Sequence, residues 1–312
     1  MNNAFFMSLN KTVRDIKKLK IQGATAVARE AIKALADYGQ TIRKSGHGFI
    51  IEAEKAAATL AITRPTEPLM HNGLAFLISS LRQSQRQQPA ELQAILNKTA
   101  ADYLSLIDQA EQVIITRGEK LIKKGFKVFT HCHSSLAEKV LLAAWQERYF
   151  QVFNTETRPL LQGRITAINL LKHGLPVTMV ADSAADFLIS HHSGKELAMD
   201  MVIIGADSLS HQGDVYNKIG SYGIALAAWE AHIPLYITST ALKMDADNKI
   251  QVELRDESEL WPDRPRQLEI LNFAFDMIPA KFITGIICEF GIVKPGLLKV
   301  KVAKEYPWLI KE

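Results

Sequence analysis

The sequence predicts an α/β protein with an N-terminal helical domain over residues 1–124 and a doubly wound, Rossmann-like parallel-sheet domain over 125–312. Two textures predict this division. Through residue 124, apolar side chains return every three to four positions in alanine-rich stretches, and from Gly125 short β-rich runs alternate with helical segments. Composition supports a large core, with 312 residues, 47% hydrophobic and 22% charged, and a mean hydropathy near zero. The length exceeds the usual ~100–150 residues of one domain, which favours two.

In the first half the amphipathic stretches run over 24–40, 49–64 and 91–124. They are separated by the breaks SGHG (45–48), RPTEP (64–68) and RQSQRQQPA (82–90). In the second half the strand candidates are FKVFT (126–130), RYFQVFN (148–154), PVTMVA (176–181), MVIIGA (201–206) and PLYITST (234–240). Helical segments such as SLAEKVLLAAWQE, GRITAINLLKHG and KIGSYGIALAAWEAH lie between them. Strand, loop, helix and strand in this rhythm imply parallel pairing with right-handed crossovers. Ligands of such sheets gather at the carboxyl ends of the strands.

Charge and cysteine usage narrow the class. The formal net charge is +4, yet residues 1–124 hold 18 basic and 11 acidic side chains and the remainder 19 and 22. A basic excess confined to one half fits a phosphate-bearing ligand or a solvated helical surface equally well. No basic block resembles a nucleic-acid arm, and the aromatics are not interleaved with cations, so no nucleic-acid partner is expected. Cys132 and Cys288 sit in no CxxC or zinc-ligand spacing, which fits a reduced, cytoplasmic setting without a metal. The apolar patch at 4–7 is too short for a signal segment and no window nears 18 consecutive apolar residues, so no membrane association is expected.

The strand-end loops carry the candidate chemistry. HCHSS (131–135) places Cys132 in a tight turn before a helix, where the helix dipole lowers a thiol pKa; a buried structural cysteine is the plainer reading. TETRPLLQGR (155–164) offers the Arg158 guanidinium, the Gln162 amide and backbone N–H groups around Gly163 to an oxyanion. In VADSAAD, Asp182 and Ser183 read as helix caps. GADSLSHQGDVYNKIGS (205–221) holds Asp207 at the end of an apolar run, where a partly desolvated carboxylate serves as acid or base. There Asn217 and Lys218 are expected to open a helix. Cys288 reads as core, Glu289 and Asp276 as structural or oligomer contacts, and His191-His192 as a solvated loop. No GxGxxG, GxxxxGK[ST] or GxSxG is present, which counts against dinucleotide enzymes, P-loop NTPases and α/β-hydrolases.

Five segments in order then carry a resemblance: THCHSS, TETRPLLQGRITA, VADSAA, IIGADSLSHQGDVYNKIG and NFAFDMIPAKFITGIICEFGIV. With IKKLKIQGATAVAREAIKAL and TRPTEP in the first half, they resemble the superfamily that unites ribose-1,5-bisphosphate isomerases, methylthioribose-1-phosphate isomerases and the alpha, beta and delta subunits of initiation factor 2B. THCHS and KIQVELRDESEL (249–260) look closer to ribose-1,5-bisphosphate isomerase. The resemblance implies an aldose–ketose isomerase of a sugar phosphorylated at carbon 1, needing no cofactor, with Cys132 and Asp207 as the proton-transfer pair. It implies phosphate contacts from Arg64, Arg158, Gln162 and Lys218 and from the backbone around Gly23 and Gly163, with Gln22, Ala24 and Asn217 also binding substrate. The isomerases commonly carry Arg-Gly-Ala where this chain has Gln22-Gly23-Ala24, a charge lost beside the phosphate. A dimer or hexamer is implied too. The alternative within the resemblance is a non-catalytic regulatory subunit that binds a sugar phosphate or nucleotide.

Overall fold

The computed structural model describes residues 2–190, 192–249 and 253–310, with side chains from Ser8 onward. His191 and residues 250–252 of the 249–260 segment lie outside the described residues. The chain forms two compact units, Met1–Gln109 with Trp308–Glu312, and Ala110–Pro307. This division differs from the change of texture at Gly125. Ala110 and Ile114 bury their side chains with Ile122, Val128 and Val140 in the core of the second unit, which claims the end of the last long helix.

The first unit is helical: α1 Asn2–Lys17, α2 Ala24–Gly39, α3 Gly46–Ala61, α4 Pro68–Gln83 and the first part of α5 Pro89–Gly118. Helix α4 falls outside the three amphipathic stretches because its buried face carries Asn72 and Gly73, which blur the apolar period. Gly73 is required by packing, since a Cβ there would lie 2.5 Å from the Tyr103 ring and 2.6 Å from Ile32. Tyr103 is fully buried and donates its hydroxyl to the Leu69 carbonyl at 2.8 Å. Trp308, from the far end of the chain, stacks its ring 4.7 Å from Phe76 and 6.2 Å from Tyr103.

The second unit contains β1 Lys127–Thr130, α6 Ser135–Glu147, β2 Gln151–Thr155, α7 Gln162–Lys172, β3 Val177–Val180, α8 Ala185–Ile189 and β4 Met201–Gly205. There follow β5 Ser208–Leu209, β6 Val215–Lys218, α9 Ser221–Glu230, β7 Leu235–Thr238, β8 Phe275–Ile278, β9 Gly285–Cys288, β10 Gly291–Val293 and α10 Leu298–Glu305. Seven strands make one sheet in the order β10-β9-β7-β4-β1-β2-β3. All its pairings are parallel except the antiparallel β9–β10 edge. Every residue of β4, Met-Val-Ile-Ile-Gly, is buried, as expected of a central strand covered on both faces. All five strand candidates of the second half correspond to strands, each shortened at one or both ends, and β2 runs one residue past its candidate to Thr155.

A second, antiparallel sheet in the order β5-β6-β8 corrects one expectation. Asn217 and Lys218 do not open a helix. They end β6, paired with Asp276 and Phe275 of β8, and α9 begins only at Ser221. The polar run SLSHQGDVYNK shows little strand alternation on its own. Its pairing is created by a partner some sixty residues away.

Candidate active site

Cys132 follows β1, Arg158 and Gln162 follow β2, Asp207 follows β4, and Asn217 and Lys218 end β6. After β1, Cys132 adopts φ 66, a left-handed conformation costly for a side chain with a Cβ. Three contacts hold it there. Its amide donates to Thr157 Oγ1 at 3.0 Å, its carbonyl accepts from Thr166 Oγ1 at 2.9 Å, and its thiol points to Gln162 Oε1 at 3.9 Å. Helix α6 then starts under Ser134, whose hydroxyl accepts the Ala137 amide. The expected lowering of the thiol pKa does not occur. Burial pushes Cys132 up to about 12, with Lys218 opposing and Asp207 reinforcing the rise, so the group rests as a thiol near neutrality. Desolvation here outweighs the helix terminus. The flanking histidines face different partners, His131 toward Thr155 and Ile219 and His133 toward Thr166 and Glu138.

After β2 the chain makes a second strained turn, with Thr157 at φ 62 and Leu161 at φ 57. Asp182 secures it. Its carboxylate accepts the amides of Thr157 at 2.8 Å and Arg158 at 2.6 Å, so it braces this turn rather than capping its own helix. The Arg158 side chain is exposed and its guanidinium donates to the Leu260 carbonyl. Gly163 is fixed by space: a Cβ would stand 1.9 Å from the Thr155 carbonyl oxygen. Its amide donates to the Glu156 carbonyl and its own carbonyl accepts the Asn154 amide at 2.8 Å. The Gly163 N–H is therefore not offered to an oxyanion, and the residue serves close packing instead.

Beyond β4, the half-buried Asp207 donates its amide to the Tyr216 carbonyl at 2.9 Å, and the buried Lys243 ammonium donates to the preceding carbonyl, that of Ala206. Lys218 is buried, with Nζ 4.9 Å from the centre of the Phe275 ring. An ammonium kept from water over an aromatic face retains its appetite for an anion. Asn217, also buried, donates its amide to Ser221 Oγ at 2.9 Å, and Ser221 donates to the Lys218 carbonyl at 2.6 Å. Gly220, at φ 102, gives its amide to Asp276 at 2.7 Å, and Tyr222 does the same at 3.1 Å. Asp276 thus caps α9, a role the sequence did not reveal; burial raises its pKa to about 6 against these amide bonds.

In the helical unit, Gln22 is exposed and folds its amide back on the Leu19 carbonyl at 2.8 Å. Gly23 precedes α2 at φ 84 with no side chain capping that end, and Ala24 is buried as its first residue. Arg64 bonds Glu67 at 3.2 Å, and its buried Nε–H has no hydrogen-bond partner among the described residues.

The thiol of Cys132 thus feels the charges of Lys218 and Asp207 at the carboxyl edge of a mostly parallel sheet. Such an edge is where α/β enzymes work on small polar ligands. Comparison with known proteins gives this class its family. A family model of the Initiation factor 2 subunit family matches residues 20–295, and the chain belongs to that family. The chain is 34% identical over 300 residues to a methylthioribose-1-phosphate isomerase of Pelotomaculum thermopropionicum, covering 90% of this chain and 81% of that one. It is 33% identical over 309 residues to a ribose 1,5-bisphosphate isomerase of Thermococcus kodakarensis, covering 95% and 94%. A crystal structure of the translation initiation factor eIF-2B of Pyrococcus horikoshii OT3 superposes with TM-score 0.78 at 25% identity, over 92% of this chain and 97% of that one.

Proposed function

We propose that the protein is an aldose–ketose isomerase of a sugar phosphorylated at carbon 1, with conversion of ribose 1,5-bisphosphate to ribulose 1,5-bisphosphate as its foremost reaction. The observation that supports this most is the pairing of Cys132 and Asp207 beside the buried Lys218 ammonium. A sugar whose anomeric oxygen is phosphorylated cannot open spontaneously to an aldehyde, so the enzyme must assist ring opening. Cys132, resting as a thiol, gives its proton to the ring oxygen as the bond from that oxygen to carbon 1 breaks. Asp207 moves the proton from carbon 2 to carbon 1 through an enol. The hydroxyl on carbon 2 returns its proton to the cysteine as it becomes the ketone. Protons and electrons balance without a cofactor.

Lys218, Arg158, Asn217 and Gln162 supply the polar contacts to substrate in this reading. In the helical unit, Arg64 and the Gln22-Gly23-Ala24 turn are proposed phosphate contacts, Arg64 on the strength of an Nε–H with no partner among the described residues. Gln22 also favours a second reading, a non-catalytic subunit that binds the same ligand class, because its uncharged amide is spent on Leu19. The experiment is to incubate the protein, Cys132→Ser and Asp207→Asn with ribose 1,5-bisphosphate, methylthioribose 1-phosphate and 5-deoxyribose 1-phosphate and to detect ketose. Turnover lost in both variants supports the assignment. Wild-type turnover in both would remove it, and no product from the unaltered protein would favour the binding subunit.

A further inference from the structure

Four polar groups lie in series behind the thiol, and their chemistry fixes which way every hydrogen points. His131 is 2% exposed; its Nε2 lies 3.0 Å from the Ile219 carbonyl oxygen and its Nδ1 2.6 Å from Thr155 Oγ1. A carbonyl oxygen only accepts, so Nε2 carries a hydrogen. Burial depresses the pKa of His131 to about 4, which leaves the ring neutral near pH 7 and Nδ1 bare. Nδ1 therefore accepts the single hydroxyl hydrogen of Thr155. Thr155 Oγ1, 3.0 Å from Thr157 Oγ1, can then only accept from that residue. Thr157, having given its hydrogen to Thr155, accepts the amide of Cys132 at 3.0 Å. Each donor meets one acceptor; the C=O at residue 219 and the neutral ring set the direction, and the N–H of residue 132 enters at the far end.

We propose that His131, Thr155 and Thr157 are positioning residues, a one-way hydrogen-bond chain that holds Cys132 in its left-handed turn and ties it to the segment following Lys218. Three separate parts of the chain, the ends of β1 and β2 and the turn into α9, are thereby locked in one register. Thiol and ammonium are carried by the two ends of that lock. Its effect on catalysis rests on the proposed isomerase reading; the direction of the chain does not.

Two measurements test it. Nitrogen-15 spectra of histidine-labelled protein at pH 7, with His131 assigned by its loss in His131→Gln, should show a neutral ring protonated on Nε2. A ring protonated on Nδ1, or a cation, overturns the chain whatever the activity. In steady-state assays on the preferred sugar 1-phosphate, Thr155→Val keeps the shape and deletes both hydrogen bonds, and should lower kcat roughly 10- to 100-fold with KM little changed. Thr155→Ser should keep kcat near wild type. A valine variant as active as wild type, or a serine variant as impaired as valine, rejects the positioning role. If no sugar 1-phosphate is turned over by the wild type, the isomerase reading fails, and the spectra still decide the chain.

Discussion

The Lys243 ammonium donates to the carbonyl oxygen of Ala206 at 2.5 Å, one residue before Asp207. A buried cation clamped to the peptide that leads into the carboxylate sets where that carboxylate stands. Lys243→Met leaves the Ala206 carbonyl without this donor and should cost about 1–3 kcal/mol in stability. On the proposed reaction kcat should fall roughly tenfold or more, because a small displacement of an acid–base group is expensive. Urea unfolding and steady-state kinetics on the same preparation check both numbers, and an unchanged kcat with reduced stability would limit Lys243 to folding.

Cys132 should resist alkylation. A thiol pushed up to about 12 is almost wholly protonated at pH 7, so its rate with iodoacetamide should be slow and should climb with pH without a plateau below pH 10. Lys218 lowers this pKa, so Lys218→Met should make alkylation slower still at any given pH. Mass spectrometry of the peptide containing residue 132 reads the rate separately from Cys288.

Asp276 and His131 should pull the acid stability of the protein in opposite directions. The folded pKa of Asp276 is raised from 3.8 to about 6, so the folded state binds the extra proton, and this contribution is present at low pH and lost as pH rises from about 4 through 6. The folded pKa of His131 is depressed from 6.5 to about 4; its contribution is present above 6.5 and lost as pH falls toward 4. Relative to wild type, the Tm of Asp276→Asn should therefore drop more steeply on acidification from pH 6.5 to 4, and that of His131→Gln less steeply. Thermal melts at half-unit intervals across that range provide the difference curves.

Gly163→Ala tests a purely steric claim. With the new Cβ placed 1.9 Å from the Thr155 carbonyl oxygen, the turn must shift, at a cost of about 1–3 kcal/mol or more. The urea midpoint should fall with the m-value unchanged.

The legible parts of the fold are those whose signal is local. SLAEKVLLAAWQE is predicted and found as 135–147, because its apolar face repeats and Ser134 caps it. MVIIGA announces a central strand by its unbroken apolar run. The β5-β6-β8 sheet was not legible, since the strand that ends at Lys218 is made by a partner some sixty residues on, which also brings the Phe275 ring under its ammonium. Asp182 looked like a cap because an acidic residue before a helix usually is one. Its real task depends on the strained turn at 157–158, about 25 residues earlier in the chain. The sequence singles out Cys132 and Asp207 only through the motifs around them, and their pairing stays a proposal; the protonation of the thiol depends on how much of its surroundings is dry, which no motif carries. Thr155 and Thr157 were missed. Two hydroxyls at alternate positions where a strand ends face the same side, and that spacing was the available signal.

Trp308 closes the aromatic cluster of a unit whose other rings, Phe76 and Tyr103, were translated more than two hundred residues before it. The part of the chain made first is therefore finished last. A ribosome releases a helical unit with an open seat, which stays open while the whole sheet is being synthesised. A fragment cut after Gln109 is for the same reason a unit with its closing piece missing, and its melting should recover when a peptide bearing residues 303–312 is supplied.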